Sequence, residues 1–324
     1  MHEHSLLLRI FRKRIFMMIM LFIILLVVFA FLSDGIILRT RNLINILNAM
    51  AVTCMLTTGV AMLMISGKID LSTGANGTLC GMLLAYTLRA GMPLLPAILI
   101  ALALGAVIGV VNAVLVNELN MAAFIATLAT SSICTGFLFL IAQRGSIDVL
   151  NSTLQSYGRH LLFGYIPVTV IVSFILMICG GIIMHNSRFG RQIYLVGGNP
   201  KASMLSGVNP KRMSYQLFVI CGLFSSAAGI TLVSRTQSAD IQGLAQHRFL
   251  GITAAVLGGI SFGGGTGGMA GAFFGLLVLS TFNNGMVVMG ANPYWRNIAE
   301  GMLLIVALTF DYFQMKQREK VVAR

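Results

Sequence analysis

Charged residues are scarce in this sequence. Only 10% of its 324 residues are Asp, Glu, Lys or Arg, whereas about a quarter are charged in ordinary soluble domains. Apolar residues make up 57%, and the mean hydropathy of +0.90 reflects the whole chain rather than one segment. Because a soluble fold needs a polar shell, this composition excludes a secreted enzyme, a soluble nucleotide-binding domain and a disordered chain. It predicts a polytopic membrane protein.

Acidic residues are the scarcer charged class. Nine Asp and Glu stand against 22 Lys and Arg, which gives a net charge of +13. A proton-coupled secondary transporter would place acids deep in several spans, so their scarcity argues against that class. The basic excess lacks the interleaved aromatics of a nucleic-acid surface, and no nucleic-acid partner is predicted. Lys and Arg accumulate on the cytoplasmic side of membrane proteins, which explains the excess more simply.

Reactive constellations are missing as well. The five cysteines form no CxxC pair, and no HExxH or Ser/His/Asp set is present. His2 and His4 lie together at the N-terminus, which is weak evidence for a metal site, and the other three histidines lie in separate segments. Gly67-Lys68 lacks the rest of a P-loop. We therefore predict no catalytic residue, no metal site and no cofactor bound by this chain, and an ATPase would have to be a separate subunit.

A glycine-rich stretch at 258–268 contains a formal GxGxxG match. A dinucleotide site would need a preceding strand within a βαβ unit, and the flanking segments are apolar instead. We interpret this stretch as a tight turn that uses glycine's access to positive φ. The predicted turn residues are Gly258, Gly259, Gly263 and Gly264.

Apolar runs long enough for membrane helices recur along the chain. A helix needs about 20 residues to cross the hydrocarbon layer, and we predict an all-α transmembrane bundle of about ten spans. They are 15–32, 43–65, 73–90, 93–116, 121–143, 164–184, 214–235, 249–262, 267–289 and 295–313. The span at 249–262 is short enough to be broken or re-entrant. The first run resembles a secretory signal peptide, but it lacks a cleavage site, which favours an uncleaved span.

The distribution of positive charge predicts the topology. The permease domain is 15–313, between a basic N-terminus at 1–14 and a basic tail at 314–324. Fourteen of the 22 Lys and Arg fall in segments predicted to be inside, which places both termini in the cytoplasm. Residues 145–163 form a polar outer connection. The longest inner loop, 185–213, has five basic residues and no acid, and it either contacts a partner or lies near anionic lipid.

Polar residues interrupt several apolar spans. Asn42, Asn45 and Asn48 recur on one helical face, and Thr127 follows Phe124 in the fifth span. Such residues either line a solute pathway or form hydrogen bonds between helices. The pathway or gate residues that we predict are Asn48, Asp70, Ser72, Phe124 and Thr127.

Simpler roles exist for the charged residues near the spans. Asp70 either acts in the pathway or serves as a helix N-cap or a local ion-pair partner of Lys68. Glu300 lies four residues after Arg296, so a pair along one helix is the simple expectation.

Glycines recur at four-residue spacing within the predicted spans. The pairs are Gly77/Gly81, Gly105/Gly109 and Gly271/Gly275. This spacing allows helix backbones to approach closely, so it predicts tight packing within the bundle rather than a specific dimer motif.

Four stretches, in order, resemble the permease subunits of bacterial ribose-type sugar ABC importers. They are Ile-Asp-Leu-Ser-Thr-Gly at 69–74, Ala-Phe-Ile-Ala-Thr-Leu at 123–128, the inner-loop run 188–208, and the glycine-rich region 254–285. The resemblance extends over about 42–313. It departs from the family pattern at Lys68, where a glycine is usual, and at Lys201 and Arg248, where acids are usual.

The resemblance implies the mechanism and the partners. It implies import of a small polar solute, most simply a monosaccharide, across the bacterial cytoplasmic membrane by ATP-driven alternating access. A second permease chain, an ATP-binding subunit that holds ATP and Mg²⁺, and an extracytoplasmic solute-binding protein would complete the importer. The resemblance also implies that residues 198–209 form a coupling helix for the ATPase, with the coupling residues Gly198, Asn199, Lys201, Ser206, Gly207 and Val208. A nucleoside or signalling-molecule permease and an ion-coupled transporter acting alone are the alternatives.

Overall fold

The computed structural model describes residues 2–142, 145–149 and 151–322, and helices dominate it. The long helices are α1 (His2–Leu32), α2 (Thr40–Ile65), α3 (Thr73–Arg89), α4 (Leu94–Asn117), α5 (Ala123–Ala142), α7 (Val168–Asn186), α10 (Pro210–Thr236), α12 (Met269–Val288) and α13 (Pro293–Val322). The shorter ones are α6 (Ser152–Arg159), α8 (Arg188–Gly198), α9 (Pro200–Leu205), α11 (His247–Leu257) and a 3₁₀ turn at Ile36–Leu38. The predicted all-α class is confirmed.

Four two-residue strands form the only sheet structure in the described ranges. β1 (Ile147–Asp148) pairs antiparallel with β4 (Ser238–Ala239), and β2 (Leu161–Leu162) pairs with β3 (Ile166–Pro167). Together with α6 they give the predicted 145–163 connection its structure.

Seven helices in the described part of the chain are long and apolar enough to cross a membrane. They are Ile15–Leu32, Thr40–Ile65, Leu94–Asn117, Ala123–Ala142, Val168–Asn186, Pro210–Thr236 and Met269–Val288. The predicted spans at α3, α11 and α13 do not meet that standard, so the count of ten stays a prediction. α11 has 11 residues, and at 1.5 Å per residue it covers only about half of the hydrocarbon thickness.

The stretch 185–213, predicted as a loop, is largely helical. Three side chains cap the helices there: Ser187 accepts from the Gly190 amide, Asn199 from the Lys201 and Ala202 amides, and Asn209 from the Arg212 amide. Pro200 and Pro210 occupy the first turns of α9 and α10, where a missing N–H is tolerated. Short polar helices of this kind lack the apolar periodicity of a span, so hydropathy alone does not reveal them.

The core is built around α2 and α10. In the most apolar 18-residue stretch of α2, 83% of the residues are buried, and in that of α10, 67% are buried. Only 6% are buried in that of α1, which lies at the periphery. α10 packs against α2, α3 and α4, and α12 packs against α11. α2 and α10 are therefore surrounded mainly by other helices of the bundle.

The glycine pairs lie at these crossings, as their spacing predicts. A Cβ on Gly105 would stand 2.6 Å from the Gly222 carbonyl oxygen, and one on Gly109 would stand 2.4 Å from that of Phe218. A Cβ on Gly271 would stand 2.0 Å from the Gly258 carbonyl oxygen. The helix backbones approach so closely that larger residues do not fit.

Two ion pairs considered from the sequence do not form. Within the described ranges the one ion pair joins Lys211 Nζ to Glu118 Oε2 at 3.2 Å. Lys68 and Asp70 each find uncharged partners instead, and Glu300 accepts a hydrogen bond from Asn283 at 2.8 Å. Contacts between helices replace the local pairs because neighbouring helices bring amides and hydroxyls within reach.

The bundle has two distinct ends. We call the end that carries α8, α9 and the start of α10 the basic end, after its residues Arg188, Arg191, Lys201, Lys211 and Arg212. It adjoins the end of α2, because the Gly265 amide donates to the Ile65 carbonyl oxygen and a Cβ on Gly197 would also meet that oxygen. The start of α2 and the end of α10 lie at the opposite end.

Candidate functional site

A polar pocket of about 410 Å³ lies at the opposite end. The start of α2, the end of α10, α6 and the first residue of α11 enclose it. Its lining residues are Asn48, Ala49, Val52, Gly158, Arg159, Leu161, Pro167, Leu232, Arg235, Thr236 and His247. A volume of this size is typical of small-molecule sites.

Hydrogen bonds fix the polar groups of the pocket. The Arg235 guanidinium donates to the backbone carbonyl oxygen of Asn48 and so joins α10 to α2. Thr53 Oγ1 and His247 Nδ1 lie 2.8 Å apart, which holds the start of α11 against α2. The pocket wall is therefore formed by elements that are separated widely in sequence.

α2 extends from this pocket through the core of the bundle towards the basic end. Every residue from 51 to 66 is buried, including Leu56, Val60 and Leu63. A solute in the pocket would meet this packed helix and could pass only if α2 moved relative to its neighbours. The structure thus has its polar pocket at one end of the bundle, and a fully buried stretch of α2 lies between this pocket and the basic end.

Asp70 and Ser72 do not line the pocket. They lie in the turn between α2 and α3, where both side chains are 0% exposed. Asp70 Oδ1 accepts hydrogen bonds from the Ser72 amide at 2.7 Å and the Ser72 hydroxyl at 2.6 Å. The Asn112 amide on α4 donates to Ser72 Oγ at 2.9 Å and to Asp70 Oδ2 at 3.3 Å. Burial raises the pKa of Asp70, and these hydrogen bonds oppose that rise.

Thr127 belongs to the same cluster, and Phe124 does not. Thr127 Oγ1 accepts from the Leu71 amide at 3.0 Å, so it fixes the turn between α2 and α3 to α5. The Phe124 side chain is 55% exposed on the surface of the bundle. Of the five predicted pathway residues, Asp70, Ser72 and Thr127 lie together, Asn48 lines the pocket, and Phe124 lies apart from both groups.

Arg248 completes the cluster around this turn. Its guanidinium donates to Ser131 Oγ at 3.1 Å and to the Leu71 carbonyl oxygen at 3.4 Å, and it lies 4.5 Å from the centre of the Phe249 ring. Its Nε is buried without a hydrogen-bond partner. Arg248 thus ties the start of α11 to the same turn that Thr127 holds.

The predicted coupling residues lie on or beside α9 at the basic end. Asn199 caps α9, Lys201 is exposed, and Gly207 follows the helix with a φ of +79°. Ser206 donates to the Ala202 carbonyl oxygen, Val208 is buried, and a Cβ on Gly198 would meet no atom within 4 Å.

Two large apolar side chains stand out on α9. Leu205 is 92% exposed and Met204 is 57% exposed, on a helix that is too short and polar to cross a membrane. Sequence analysis missed both, although an apolar pair next to a glycine in a polar stretch is a usable signal. Exposed apolar groups in such a setting indicate a protein contact.

The glycine-rich stretch forms a turn between α11 and α12. Gly259 and Gly264 have φ values of +101° and +80°, in the region that favours glycine. Gly258 ends α11, and the Gly263 amide donates to Ser261 Oγ at 3.3 Å. The Tyr194 hydroxyl donates to the Gly267 carbonyl oxygen at 2.8 Å, so this turn supports α8 at the basic end.

Sequence reasoning also missed Asn112 and His247, and it did not place Arg235 in a pocket. Asn112 lies within an apolar span, Arg235 ends one, and His247 precedes one. A polar residue in or beside an apolar helix is the available signal, but only the fold shows which of these residues face each other.

Comparison with known proteins identifies the family. The model of a family described as "Branched-chain amino acid transport system / permease component" matches residues 42–308. The ribose import permease protein of Bacillus subtilis is 32% identical over 276 residues, which cover 85% of each chain. The galactose/methyl galactoside import permease protein of Haemophilus influenzae is 31% identical, covering 89% of this chain and 91% of its own.

A third relative imports another sugar. The fructose import permease protein of Rhizobium meliloti is 30% identical over 84% of this chain and 78% of its own. No solved structure gives a significant match. The chain therefore belongs to this family of ABC-importer permeases, as a multi-pass inner-membrane transport subunit rather than an ATPase.

Proposed function

We propose that the chain imports a monosaccharide, using ATP hydrolysed by a separate subunit. The observation that carries this proposal is the polar pocket at the opposite end, closed off from the basic end by buried α2. Amide, guanidinium, hydroxyl and imidazole groups line it, and such groups suit a ligand rich in hydroxyls. The relatives that import ribose, galactose and fructose support the same solute class.

The basic end is the cytoplasmic end in this proposal. The five basic residues that define it satisfy the positive-inside rule, and the pocket would then face the outside, where a solute-binding protein delivers its cargo. Both chain termini would be cytoplasmic, and the bundle would cross the membrane about ten times, with α3, α11 and α13 contributing. A second permease chain, identical or related, would complete the membrane part.

ATP hydrolysis would reach the bundle through α8 and α9. Leu205 and Met204 supply the apolar surface that an ATPase cleft would cover. α8 contacts the end of α2 through Gly197 and the glycine-rich turn through Tyr194. A push on α9 would therefore be transmitted to α2, which closes the pocket.

The turn between α2 and α3 is assigned as the gate region. Asp70, Ser72 and Thr127 join three helices there, and Lys68 joins the same turn to α4 and α10. Any movement of the end of α2 relative to α4 and α5 must break these hydrogen bonds. Asn48 would act earlier, as a pocket residue that contacts the solute.

Substitution of Leu205 tests the coupling to the ATPase. Cells would express the chain with its ATPase and solute-binding protein, and uptake of radiolabelled ribose, galactose and fructose would be measured. Leu205→Ala should reduce uptake at least about tenfold, since truncating an interface anchor costs about 2 kcal/mol or more. Leu205→Met keeps apolar volume and should retain most uptake.

The amount of chain in the membrane provides the control. It should be equal for Leu205→Ala, Leu205→Met and the unmodified chain, because Leu205 is 92% exposed and supports no core contact. Undiminished uptake by Leu205→Ala would refute the coupling role. Failure of these three sugars, and also of the acidic sugars galacturonate and ribose 5-phosphate, to enter would refute the proposed solute class.

A further inference from the structure

The charge of the pocket is one-sided. Two arginines, Arg159 and Arg235, and one histidine, His247, line it, and no Asp or Glu does. The two guanidinium groups therefore determine the charge of the pocket.

Close packing of α6 on α10 brings the two arginines to one pocket. Gly158 lies against the backbone of α10, where a Cβ would overlap the Ser234 carbonyl oxygen. Its neighbour Arg159 is thereby held at the same pocket as Arg235, which follows Ser234. Only a residue without a side chain allows this approach, so the juxtaposition is built into the fold.

Neither arginine has an acidic partner. Across the part of the chain that the structure describes, the single ion pair is Lys211–Glu118 at the other end of the bundle. Arg235 donates to one neutral group, the Asn48 carbonyl oxygen, and it is half-buried. An unpaired charge in a partly dehydrated site is unfavourable, and an anion in the pocket would remove that cost.

We infer that the imported solute carries a negative charge, as a sugar acid or a phosphorylated sugar does. This inference rests on the proposed function and narrows its substrate class. Guanidinium groups bind carboxylate and phosphate with paired N–H donors. Asn48, Thr236 and the free ring nitrogen of His247 remain available for the hydroxyl groups of the same solute.

A cysteine in the pocket reports its charge selectivity. Ala49 is small, exposed and in the pocket lining, and Cys179 is the one exposed cysteine among the five, so the chain tested is Ala49→Cys with Cys179→Ser. In phosphatidylcholine nanodiscs, the anionic reagent sulfonatoethyl methanethiosulfonate should react roughly tenfold faster than its trimethylammonium counterpart. Ser152→Cys, exposed on α6 outside the pocket, is the matched control and should show little preference.

The arginines should account for that preference. Arg159→Gln with Arg235→Gln should abolish it, whereas Arg235→Lys, which keeps the charge, should retain it. Equal reaction rates of the two reagents at Ala49→Cys would overturn the inference.

Protection by solutes identifies the ligand class. Galacturonate or ribose 5-phosphate should slow labelling of Ala49→Cys several-fold more than galactose or ribose at the same concentration. Whichever of the two acids protects more strongly shows whether the site prefers a carboxylate or a phosphate. Equal protection by neutral and acidic sugars would overturn the inference. So would protection by phosphatidylglycerol added to the nanodiscs without protection by the soluble acids, since the anion would then be a lipid headgroup.

ATP-driven uptake separates this inference from the proposed function. Uptake of galactose but not of galacturonate by the complex with its ATPase and binding protein would overturn the anionic solute and leave the permease function intact. Selective protection by galacturonate without ATP-driven uptake of any sugar would support the anion site and contradict the proposed function.

Discussion

Lys68 shows how one residue connects the end of α2 to two other helices. Its ammonium group donates to Asn117 Oδ1 at 2.7 Å and to Ser214 Oγ at 2.6 Å. Asn117 ends α4, where a positive charge is favourable, and Ser214 lies in the first turns of α10. The sequence singled out Lys68 as a departure from the family pattern, and the structure gives the departure a role in joining helices.

The pH dependence of stability should reveal this buried amine. Burial lowers the pKa of Lys68 from 10.5 to about 8. Between these values the unfolded chain binds a proton that the folded protein has lost, so the contribution of Lys68 to stability rises with pH across that window. Between pH 7 and pH 10, the Tm of the unmodified chain should therefore rise by a few degrees relative to the Tm of Lys68→Met.

An exposed lysine provides the control. Lys201→Met removes an amine on α9 whose side chain is exposed, and its Tm difference should change less over the same range. A difference for Lys68→Met that is constant with pH, or that moves the other way, would contradict the buried position of the amine.

Local sequence predicted part of the hydrogen-bonded cluster at the turn between α2 and α3. Residues 69–74 and Thr127 stood out as polar interruptions, and the structure brings them together through the Leu71 amide. Asn112 and His247 were missed, and the partner of Arg235 was not foreseen, because the groups that they contact lie 40 to 194 residues away in the sequence. Phe124 shares a motif with Thr127, but its side chain is 55% exposed whereas that of Thr127 is buried, and a motif alone does not specify burial.

The long apolar helices were easier to predict from the sequence than the short polar helices or the helix crossings. Apolar runs predicted most of the long helices within a few residues, because hydropathy and length decide them. α1 and α13 are the exceptions, since α1 begins 13 residues before the predicted span 15–32 and α13 ends 9 residues after the predicted span 295–313. α8 was predicted as a loop from its polarity, whereas the family resemblance implied a helix within 198–209, where α9 forms. Asn-Pro at 199–200 and at 209–210 is a helix-start signal for α9 and α10. The four-residue glycine spacing predicted close packing, and the structure supplies the partner helix for each glycine.

Gly222 tests the crossing of α4 and α10. A Cβ there would stand 2.1 Å from the Gly105 carbonyl oxygen, so Gly222→Ala should force the helices apart and destabilise the bundle by about 1–3 kcal/mol. Thermal unfolding in nanodiscs measures this loss. Gly136→Ala on α5 is the matched control, since its Cβ would meet no atom within 4 Å and alanine favours a helix. Equal Tm values for the two variants would contradict the tight crossing.

The whole molecule separates a polar pocket from a basic surface by the length of the bundle. Composition predicted a membrane protein without its own ATPase, and the family match confirms a permease subunit. The sequence could not show that the pocket is open at one end and closed by α2 below it, because that depends on how helices far apart in sequence pack. An alternating-access cycle requires such a closed side, which must open when the partner subunits act.

Uptake into proteoliposomes is the most direct test that ATP hydrolysis drives solute import through this chain. The chain would be reconstituted alone or with its ATPase subunit, and entry of radiolabelled solute from the binding protein would be followed with ATP or with an imposed proton or sodium gradient. We expect uptake of the solute only when the ATPase subunit and ATP are both present. Gradient-driven uptake by the chain alone would contradict this expectation.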